Sequence, residues 1–302
     1  MAFIECNFFS ETLQRTVTFN AIIPADKGLF ADRREAPTGF DSTRSHRPQN
    51  FKTLYLLHGG LGNHTDWVNG TRIHMWAQEK DLAVIMPAGD NRSWIDDPSG
   101  SALLGQYGQY VGRELVQFTR NTFPLSPRRE DTFVAGLSMG GFGALVNGLR
   151  FPEVFSRIAA LSPGLLYGDL IPGYDDLPNE DLSFAFGDSY RDDLRRVLGN
   201  LDAVVGSNRD YKGMLATLKR TGADIPGIFL ACGESDIILN RSQDFHRYLN
   251  KLEVDHHYEE GPGGHDWTFW DGAIKKVLDW LPLSETAQDG RHSGNVVVSR
   301  AS

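Results

Sequence analysis

Five short apolar runs, each closed by turn-forming residues, constrain the fold of this chain more than any other feature. They occupy residues 54–57, 82–86, 132–135, 158–161 and 228–232. Continuous apolar runs of four or five residues suit strands that are buried on both faces, as in a parallel sheet covered by helices. The sequence therefore predicts a largely parallel sheet.

Segments with helical periodicity accompany these runs. In two of them, residues spaced three and four apart form one apolar face: Phe245, Tyr248, Leu249 and Leu252 in the first, and Trp267, Trp270, Ile274, Val277, Leu278 and Leu281 in the second. Strands that alternate with amphipathic helices predict an α/β fold with helices on both faces of the sheet. The start of the chain differs, because residues 3–9 and 13–23 are two strand-like runs with a short connection. We expect an antiparallel hairpin there, at the sheet edge.

Three segments interrupt this alternation. Residues 24–50 contain three prolines and many charges, which predicts a long surface loop. Residues 164–210 are rich in Gly, Pro and Asp and lie between two predicted strands, so we expect a cap-like insertion over the sheet. Residues 283–302 are polar and small, which favours a flexible tail. No internal repeat or linker is present, and residues 1–282 are therefore predicted to form a single domain.

Composition and charge exclude several classes of function. The 302 residues carry a net charge of −9, and nucleic-acid binding needs clustered Lys and Arg, so we expect no nucleic-acid partner. No apolar run is long enough to span a membrane, so no membrane partner is expected. The nine histidines show no metal-ligand spacing, and we expect neither a metal nor another cofactor.

Cysteine usage and the first residues bear on location. Cys6 and Cys232 are far apart in sequence and are expected to be reduced thiols. The first residues lack the basic segment followed by an apolar stretch that marks a secretory signal. We therefore expect a cytoplasmic protein.

A glycine-rich turn around Ser138 predicts a nucleophile. Residues 136–141 contain the pattern G-x-S-x-G, follow the predicted strand 132–135 and precede the helix-like run 142–150. Glycines permit a sharp strand-to-helix turn that projects the central serine above the sheet, beside the free N–H groups of a helix start. This context favours a nucleophilic serine over a plain turn.

Serine needs a base, and the base needs an orienting carboxylate. In the α/β-hydrolase fold the chain order is Ser, then Asp or Glu, then His. After Ser138, the predicted strand 228–232 runs into a loop that contains both Glu234 and Asp236. We favour Asp236 as the acid, and Glu234 is the alternative.

The candidate base is His265. It follows residues 261–264, which are glycine and proline only, and it stands immediately before a predicted helix. This places it on a tight loop at the carboxyl end of a strand-like run. His246 and His257 lack that context.

An acyl-transferring serine also needs two backbone N–H donors for the oxyanion. One is expected from Met139, directly after the nucleophile. The other is expected from the glycine-rich segment 58–62, with Gly60 preferred and Leu61 as the alternative.

Four tryptophans lie on or beside the predicted active-edge loops: Trp67, Trp94, Trp267 and Trp270. Loop packing explains most of them, and Trp270 fits the core face of its helix. We expect Trp94 or Trp267 to line the substrate pocket.

Three ordered motifs resemble the esterase D-like superfamily. They lie at residues 56–64, 136–144 and 263–270, and the resemblance spans residues 50–281. Within the superfamily the sequence is most similar to the tributyrin esterase and cinnamoyl or feruloyl esterase branch. The resemblance implies an α/β-hydrolase fold and a metal-free serine esterase.

The sequence departs from the S-formylglutathione hydrolase branch of that superfamily. Members of that branch usually carry a Ser-Gly-Leu-Thr-Cys-like first loop and a histidine before the nucleophile. Here residues 58–60 are His-Gly-Gly, and Leu137 precedes Ser138. This difference argues against hydrolysis of that thioester.

Together these features predict a serine carboxylesterase that acts on a small-molecule ester through an acyl-serine. Apolar residues are sparse in the insertion 164–210, which favours a compact pocket for acetyl or butyryl groups, or an aromatic acyl group such as feruloyl. The alternatives are an acyltransferase, an S-formylglutathione hydrolase-like thioesterase and a non-catalytic binding module. The sequence leaves the oligomeric state open, including a homo-oligomer.

Overall fold

A computed structural model describes residues 1–24, 50–176 and 182–283. Eight strands form one sheet in it: β1 Ala2–Ser10, β2 Arg15–Ile23, β3 Lys52–Leu57, β4 Leu82–Pro87, β5 Thr132–Leu137, β6 Arg157–Leu161, β7 Gly227–Gly233 and β8 His256–Gly261. Their spatial order is β1-β2-β4-β3-β5-β6-β7-β8.

The sheet is mostly parallel, as the sequence predicts. Every neighbouring pair from β4 through β3, β5, β6 and β7 to β8 is parallel. The predicted hairpin is also present, because β1 pairs antiparallel with β2, which pairs antiparallel with β4. The strands that the apolar runs predicted are almost wholly buried, whereas β1 alternates between exposed and half-buried residues at the edge of the sheet.

Helices cover both faces of the sheet. They are α1 Asp66–Gly70, α2 Ile73–Glu79, α3 Tyr107–Gln109, α4 Leu115–Thr122, α5 Met139–Arg150, α6 Ser183–Phe186, α7 Tyr190–Leu198, α8 Tyr211–Thr221, α9 Leu239–Lys251 and α10 Trp267–Trp280, with a π-helical turn at Tyr110–Glu114 between α3 and α4. Alternate residues of β3 face opposite ways: Tyr55 joins a core with α4, α5, α8 and α9, and Leu56 joins a core with α1, α2 and α10. This is the predicted α/β-hydrolase architecture.

The insertion between β6 and β7 is anchored to the helices that follow it. Asp169 forms a fully buried ion pair with Arg241 of α9 at 2.5 Å. Lys212 at the start of α8 bridges Asp175 and Asp244 at 2.5 and 2.9 Å. Since buried charges are stable only when they are paired, these contacts fix the insertion against the body of the protein.

Some predictions fall outside the described residues. These are the surface loop, except for its first and last residues, and the tail beyond residue 283. The assignment of residues 1–282 to one domain stays a prediction. Within the described ranges, no helix is long and apolar enough to cross a membrane, and no cluster of three His, Cys, Asp or Glu side chains is placed to hold a metal ion.

Candidate active site

Ser138 stands at a strained turn between β5 and α5. Its φ of 51° and ψ of −118° lie outside the regions that side-chain-bearing residues prefer. A Cβ on Gly136 would overlap the carbonyl oxygen of Gly140, and a Cβ on Gly140 would overlap that of Leu57. Only glycine at both positions allows strand, turn and helix to approach this closely, and the turn leaves the Ser138 hydroxyl at the carboxyl edge of the sheet.

The structure brings the three predicted catalytic side chains together. His265 Nε2 lies 2.9 Å from Ser138 Oγ. His265 Nδ1 lies 3.0 and 3.1 Å from the two carboxylate oxygens of Asp236. When Nδ1 carries its hydrogen towards the carboxylate, Nε2 is free to accept the serine proton.

Backbone contacts fix the loops that carry the acid and the histidine. Ser235 N–H donates to the carbonyl of Gly263 at 2.9 Å. A Cβ on Gly233 would lie 2.5 Å from that same carbonyl oxygen, so the close approach requires glycine. The two loops are therefore held against each other independently of the side chains that they present.

Asp236, rather than Glu234, is the carboxylate that faces the histidine. The Asp236 side chain is 0% exposed, whereas Glu234 is exposed to solvent. Burial opposes ionisation of Asp236, but the hydrogen bond and charge of His265, the N–H of Ile238 and the hydroxyl of Ser162 outweigh it and lower its pKa. The carboxylate is consequently held in the charged form that can stabilise an imidazolium.

The segments that carry both predicted oxyanion donors adjoin the nucleophile. Met139 is the first residue of α5, and Gly59, which precedes Gly60, lies so close that a Cβ on it would be 3.5 Å from Ser138 Cβ. The N–H of Leu61 donates to Asn91 Oδ1 at 2.6 Å. Because that N–H is already engaged, the geometry favours Gly60 over Leu61.

His58 supports the first loop, a role that the sequence analysis missed. Its Nε2 accepts from Gly89 N–H at 2.9 Å, so the hydrogen is on Nδ1, which donates to the Gly59 carbonyl at 2.7 Å. Burial lowers the pKa of His58 and keeps the ring neutral. The one available signal was a histidine directly after a buried strand. Its partner, Gly89, is 31 residues away in the loop after β4.

The expectation that Trp94 lines the substrate pocket is wrong. Trp94 is 0% exposed and donates its indole N–H to the His58 carbonyl at 3.1 Å. Its ring packs against Gly89 and Gly143 so closely that a Cβ on either would overlap it. A left-handed backbone conformation, with φ of 59°, and a bond from Asn147 to its carbonyl turn the residue into the core.

Trp267 occupies a different environment. With residues 60–62, Asp66, Asn69 and Gly70 it lines a surface cleft of about 350 Å³ beside the predicted oxyanion loop. The side chain is half-buried and packs edge-on against neighbouring tryptophans. Contact with substrate therefore stays a prediction for Trp267.

A larger cleft of about 680 Å³ lies at the amino-terminal ends of β6, β7 and β8. Arg157, Gly227 and His256 are among its lining residues. Ser138 follows the carboxyl end of β5, so this cleft is at the opposite edge of the sheet from the hydroxyl. We do not associate it with the chemistry.

Known proteins that are similar to this chain agree with the geometry of the site. A family model described as "Putative esterase" matches residues 38–191, about half of the chain. An acetyl esterase from Caldicellulosiruptor saccharolyticus is 37% identical over 281 residues, which cover 93% of this chain and 98% of the relative. The chain belongs to this esterase family.

Solved structures agree with the family assignment. The esterase resembles a fluorophosphonate-binding serine hydrolase from Staphylococcus aureus, with a TM-score of 0.74 and 29% identity. It also resembles an S-formylglutathione hydrolase from the same organism, with a TM-score of 0.72 and 30% identity. Each likeness covers 93% of this chain and 98% of the other. The esterase D-like superfamily, the α/β-hydrolase fold and the carboxylic ester hydrolase class are thereby confirmed.

Proposed function

We propose that this esterase hydrolyses short-chain carboxylic esters, with Ser138 as nucleophile, His265 as general base and Asp236 as the orienting acid. The observation that carries the proposal is the unbroken contact from Ser138 Oγ through both nitrogens of His265 to the Asp236 carboxylate, at 2.9 and 3.0 Å. A nucleophile, a base and an orienting group within hydrogen-bond reach are the minimum for covalent acyl transfer.

The first half-reaction forms an acyl-enzyme. His265 Nε2 takes the proton of Ser138 Oγ as the oxygen attacks the ester carbonyl carbon. The N–H groups of Gly60 and Met139 stabilise the resulting oxyanion. The tetrahedral intermediate then collapses, the bond to the alcohol oxygen breaks, and His265 returns the proton to the departing alcohol.

The second half-reaction releases the acid. Water loses a proton to His265 as it attacks the acyl carbon, and the proton goes to Ser138 Oγ when the acyl–oxygen bond breaks. The products are one alcohol and one carboxylic acid, and the enzyme is regenerated. Throughout, Asp236 stays ionised and holds the imidazole in place.

Acetyl to butyryl esters are the proposed substrates. The insertion places Leu165, Leu170 and Leu182 in the buried core, where they offer no wall to a long acyl chain. The curated relative named an acetyl esterase supports the same size range. For an aromatic acyl group such as feruloyl, Trp267 is the proposed contact because its cleft adjoins the oxyanion loop.

The discriminating experiment is a panel of kcat/KM values. It compares p-nitrophenyl acetate, butyrate and octanoate with methyl ferulate, acetylated xylan and S-formylglutathione. We expect kcat/KM in the p-nitrophenyl series to peak at an acyl chain of about four carbons or fewer. Each further methylene stabilises the bound substrate by about 0.8 kcal/mol only when the wall of a pocket buries it. A rate that rises to the octanoate would contradict the proposal.

Thioester hydrolysis is the second candidate. It is favoured by one observation, the likeness to an S-formylglutathione hydrolase over 93% of this chain. The acyl-serine chemistry is shared, so only the substrate separates the two functions. A kcat/KM for S-formylglutathione far above that for p-nitrophenyl acetate would establish the thioesterase instead.

We propose the cytoplasm as the location. Both cysteines, Cys6 and Cys232, are free in the structure, which suits a reducing compartment. Burial raises the pKa of the Cys232 thiol to about 12, so this sulfur stays protonated. Fractionation of cells that express the protein from its own gene, followed by immunoblotting, tests this location.

A further inference from the structure

The loop after β3 carries a leucine at a position where the backbone favours glycine. Residues 59–62 form a tight turn in which Gly62 N–H donates to the Gly59 carbonyl at 3.4 Å. Leu61, the third residue of the turn, has a left-handed φ of 63°, whereas the three glycines of the turn do not have a left-handed φ. Turns with a positive φ at their third residue usually have glycine or asparagine there, because a Cβ strains this conformation.

The side chain of Leu61 is equally unfavourable for stability. It is 93% exposed, so its apolar surface gains almost nothing from burial in the folded protein. A leucine that is strained in its backbone and solvated in its side chain does not stabilise the fold. Strained residues of this kind concentrate at active sites and ligand sites, where function offsets the loss of stability.

The backbone of Leu61 is nevertheless fixed. Its N–H donates to Asn91 Oδ1 at 2.6 Å, and Asn91 belongs to the loop after β4. That loop is tied to the sheet in turn, because Ala88 N–H donates to the Thr18 carbonyl of β2 at 3.0 Å. These contacts enforce the left-handed conformation. A side chain on a fixed backbone loses less conformational entropy when a ligand covers it.

Leu61 also lies beside the proposed chemistry. Gly60, which precedes it, is the proposed oxyanion donor, and a Cβ on Gly60 would meet no atom of the described residues within 4 Å. There is thus open space beside the residue that would bind the ester oxygen. Leu61 and Trp267 line the same cleft of about 350 Å³, which begins at Gly60.

We propose that Leu61 is a specificity-determining residue whose side chain, together with Trp267, binds an aromatic group of the ester. A ring packs favourably on an indole and buries the apolar surface of a leucine. Asp66 and Asn69 give the cleft a polar part as well, which suits a ring with polar substituents. The inference rests on the proposed function, which places the ester oxygen at Gly60.

Leu61→Gly is the primary test. With an aromatic ester we expect kcat/KM to fall about tenfold, equivalent to about 1.4 kcal/mol. The change should appear in KM and leave kcat nearly constant, because the lost contact is with a part of the substrate that does not react. With methyl acetate, which has no group large enough to fill the cleft, kcat/KM should stay within about twofold of wild type.

Two aromatic esters identify the part of the substrate that enters the cleft. Phenyl acetate carries its ring in the alcohol, and methyl ferulate carries its ring in the acyl group. The ester whose kcat/KM falls in Leu61→Gly contains the ring on the side that the cleft binds. A selective loss with either ester supports the proposal.

Two further variants separate the side chain from the backbone. Leu61→Met keeps an apolar side chain and should retain kcat/KM for all three esters within about twofold. Glu253→Gly is the matched control, because Glu253 is also exposed and left-handed, with φ of 53°, but precedes β8 at the opposite edge of the sheet from Ser138. It should leave kcat/KM unchanged for all three esters.

Urea denaturation measures whether Leu61 has a structural role instead. Glycine adopts the left-handed conformation without strain, so Leu61→Gly should unfold at a urea concentration no lower than wild type. A clear loss of stability in this variant would contradict the inference.

The outcomes distinguish this inference from the proposed function. Wild-type kcat/KM of Leu61→Gly with both aromatic esters would overturn the specificity role, and so would an equal loss with methyl acetate, which would indicate a displaced Gly60 instead. Either result leaves the esterase assignment intact. A wild-type protein that hydrolyses none of the esters would overturn the proposed function, and this inference with it.

Discussion

At the scale of the residue, the chemistry depends on one imidazole that faces two oxygen-bearing side chains. His265 contacts Ser138 with one nitrogen and Asp236 with the other. In the proposed mechanism neither neighbour is interchangeable, because the serine hydroxyl gives up a proton and the carboxylate keeps its charge. The pKa of Asp236 and the support of the first loop lead to separate predictions.

The pH dependence of the rate follows from the lowered pKa of Asp236. Burial opposes ionisation, but the contacts with His265, Ile238 and Ser162 prevail, so the carboxylate stays charged below its ordinary titration range. Protonation of Asp236 should therefore contribute nothing to a loss of activity above about pH 5. We expect log kcat/KM against pH to have a slope of one on the acid side, and a slope of two above about pH 5 would show that Asp236 titrates there as well.

Replacement of His58 tests the support of the oxyanion loop. His58→Ala removes the link between the Gly59 carbonyl and Gly89 N–H, and the loop that presents Gly60 should relax. We expect kcat for p-nitrophenyl acetate to fall about 100-fold, comparable to the loss of one oxyanion donor. His246→Ala, on α9 and away from the site, serves as control. Wild-type kcat in His58→Ala would show that the loop does not need this ring.

Sequence patterns predicted single residues best where one loop contains every residue of the pattern. Ser138, Asp236 and His265 each lie in a short turn after a strand, and chain order assigned them. His58 was missed because its partner, Gly89, comes from the loop after another strand and is 31 residues away. Trp94 was misplaced because no local pattern shows which way a left-handed residue turns its side chain.

At the scale of the element, the site is a set of loops at the carboxyl ends of neighbouring parallel strands. β3 leads to the proposed oxyanion loop, β5 to the proposed nucleophile, β7 to the proposed acid and β8 to the proposed base. Apolar runs were sufficient to predict β3, β5 and β7, because a strand buried on both faces has few other compositions, whereas β8 is half-exposed and carries no such run. The bounds were less accurate: β5 continues to Leu137, where the apolar pattern had already been broken by Gly136.

A glycine substitution tests the contact between strand β3 and helix α5. In Gly140→Ala the new Cβ would meet the backbone oxygens of Leu57 and His58, which cannot move aside as a side chain does. We expect a loss of several kcal/mol in the free energy of unfolding and of most activity. Gly272→Ala is the control, because Gly272 lies in α10 with open space around it and should gain about 0.5–1 kcal/mol. Urea denaturation measures the free energy of unfolding of both variants. Equal stability of Gly140→Ala and Gly272→Ala would contradict the close packing of β3 against α5.

At the scale of the whole molecule, one sheet brings together residues that are 127 positions apart in the chain. The buried sheet supplies rigidity, and ion pairs to α8 and α9 fix the insertion against it. Sequence motifs and relatives identify the class of reaction but not the substrate. In the proposed function, ester preference depends on the insertion and on the cleft at Trp267, and the residues that line this cleft meet only in the folded protein.

The turnover of p-nitrophenyl acetate by Ser138→Ala tests whether Ser138 is the nucleophile. Ser235→Ala, a substitution of an exposed serine in the acid loop, is the matched control and should retain wild-type turnover. We expect Ser138→Ala to lower kcat about 10⁶-fold, the effect of removing a serine nucleophile from an intact triad. Turnover within about tenfold of wild type would contradict it, since one oxyanion donor alone is worth more than that.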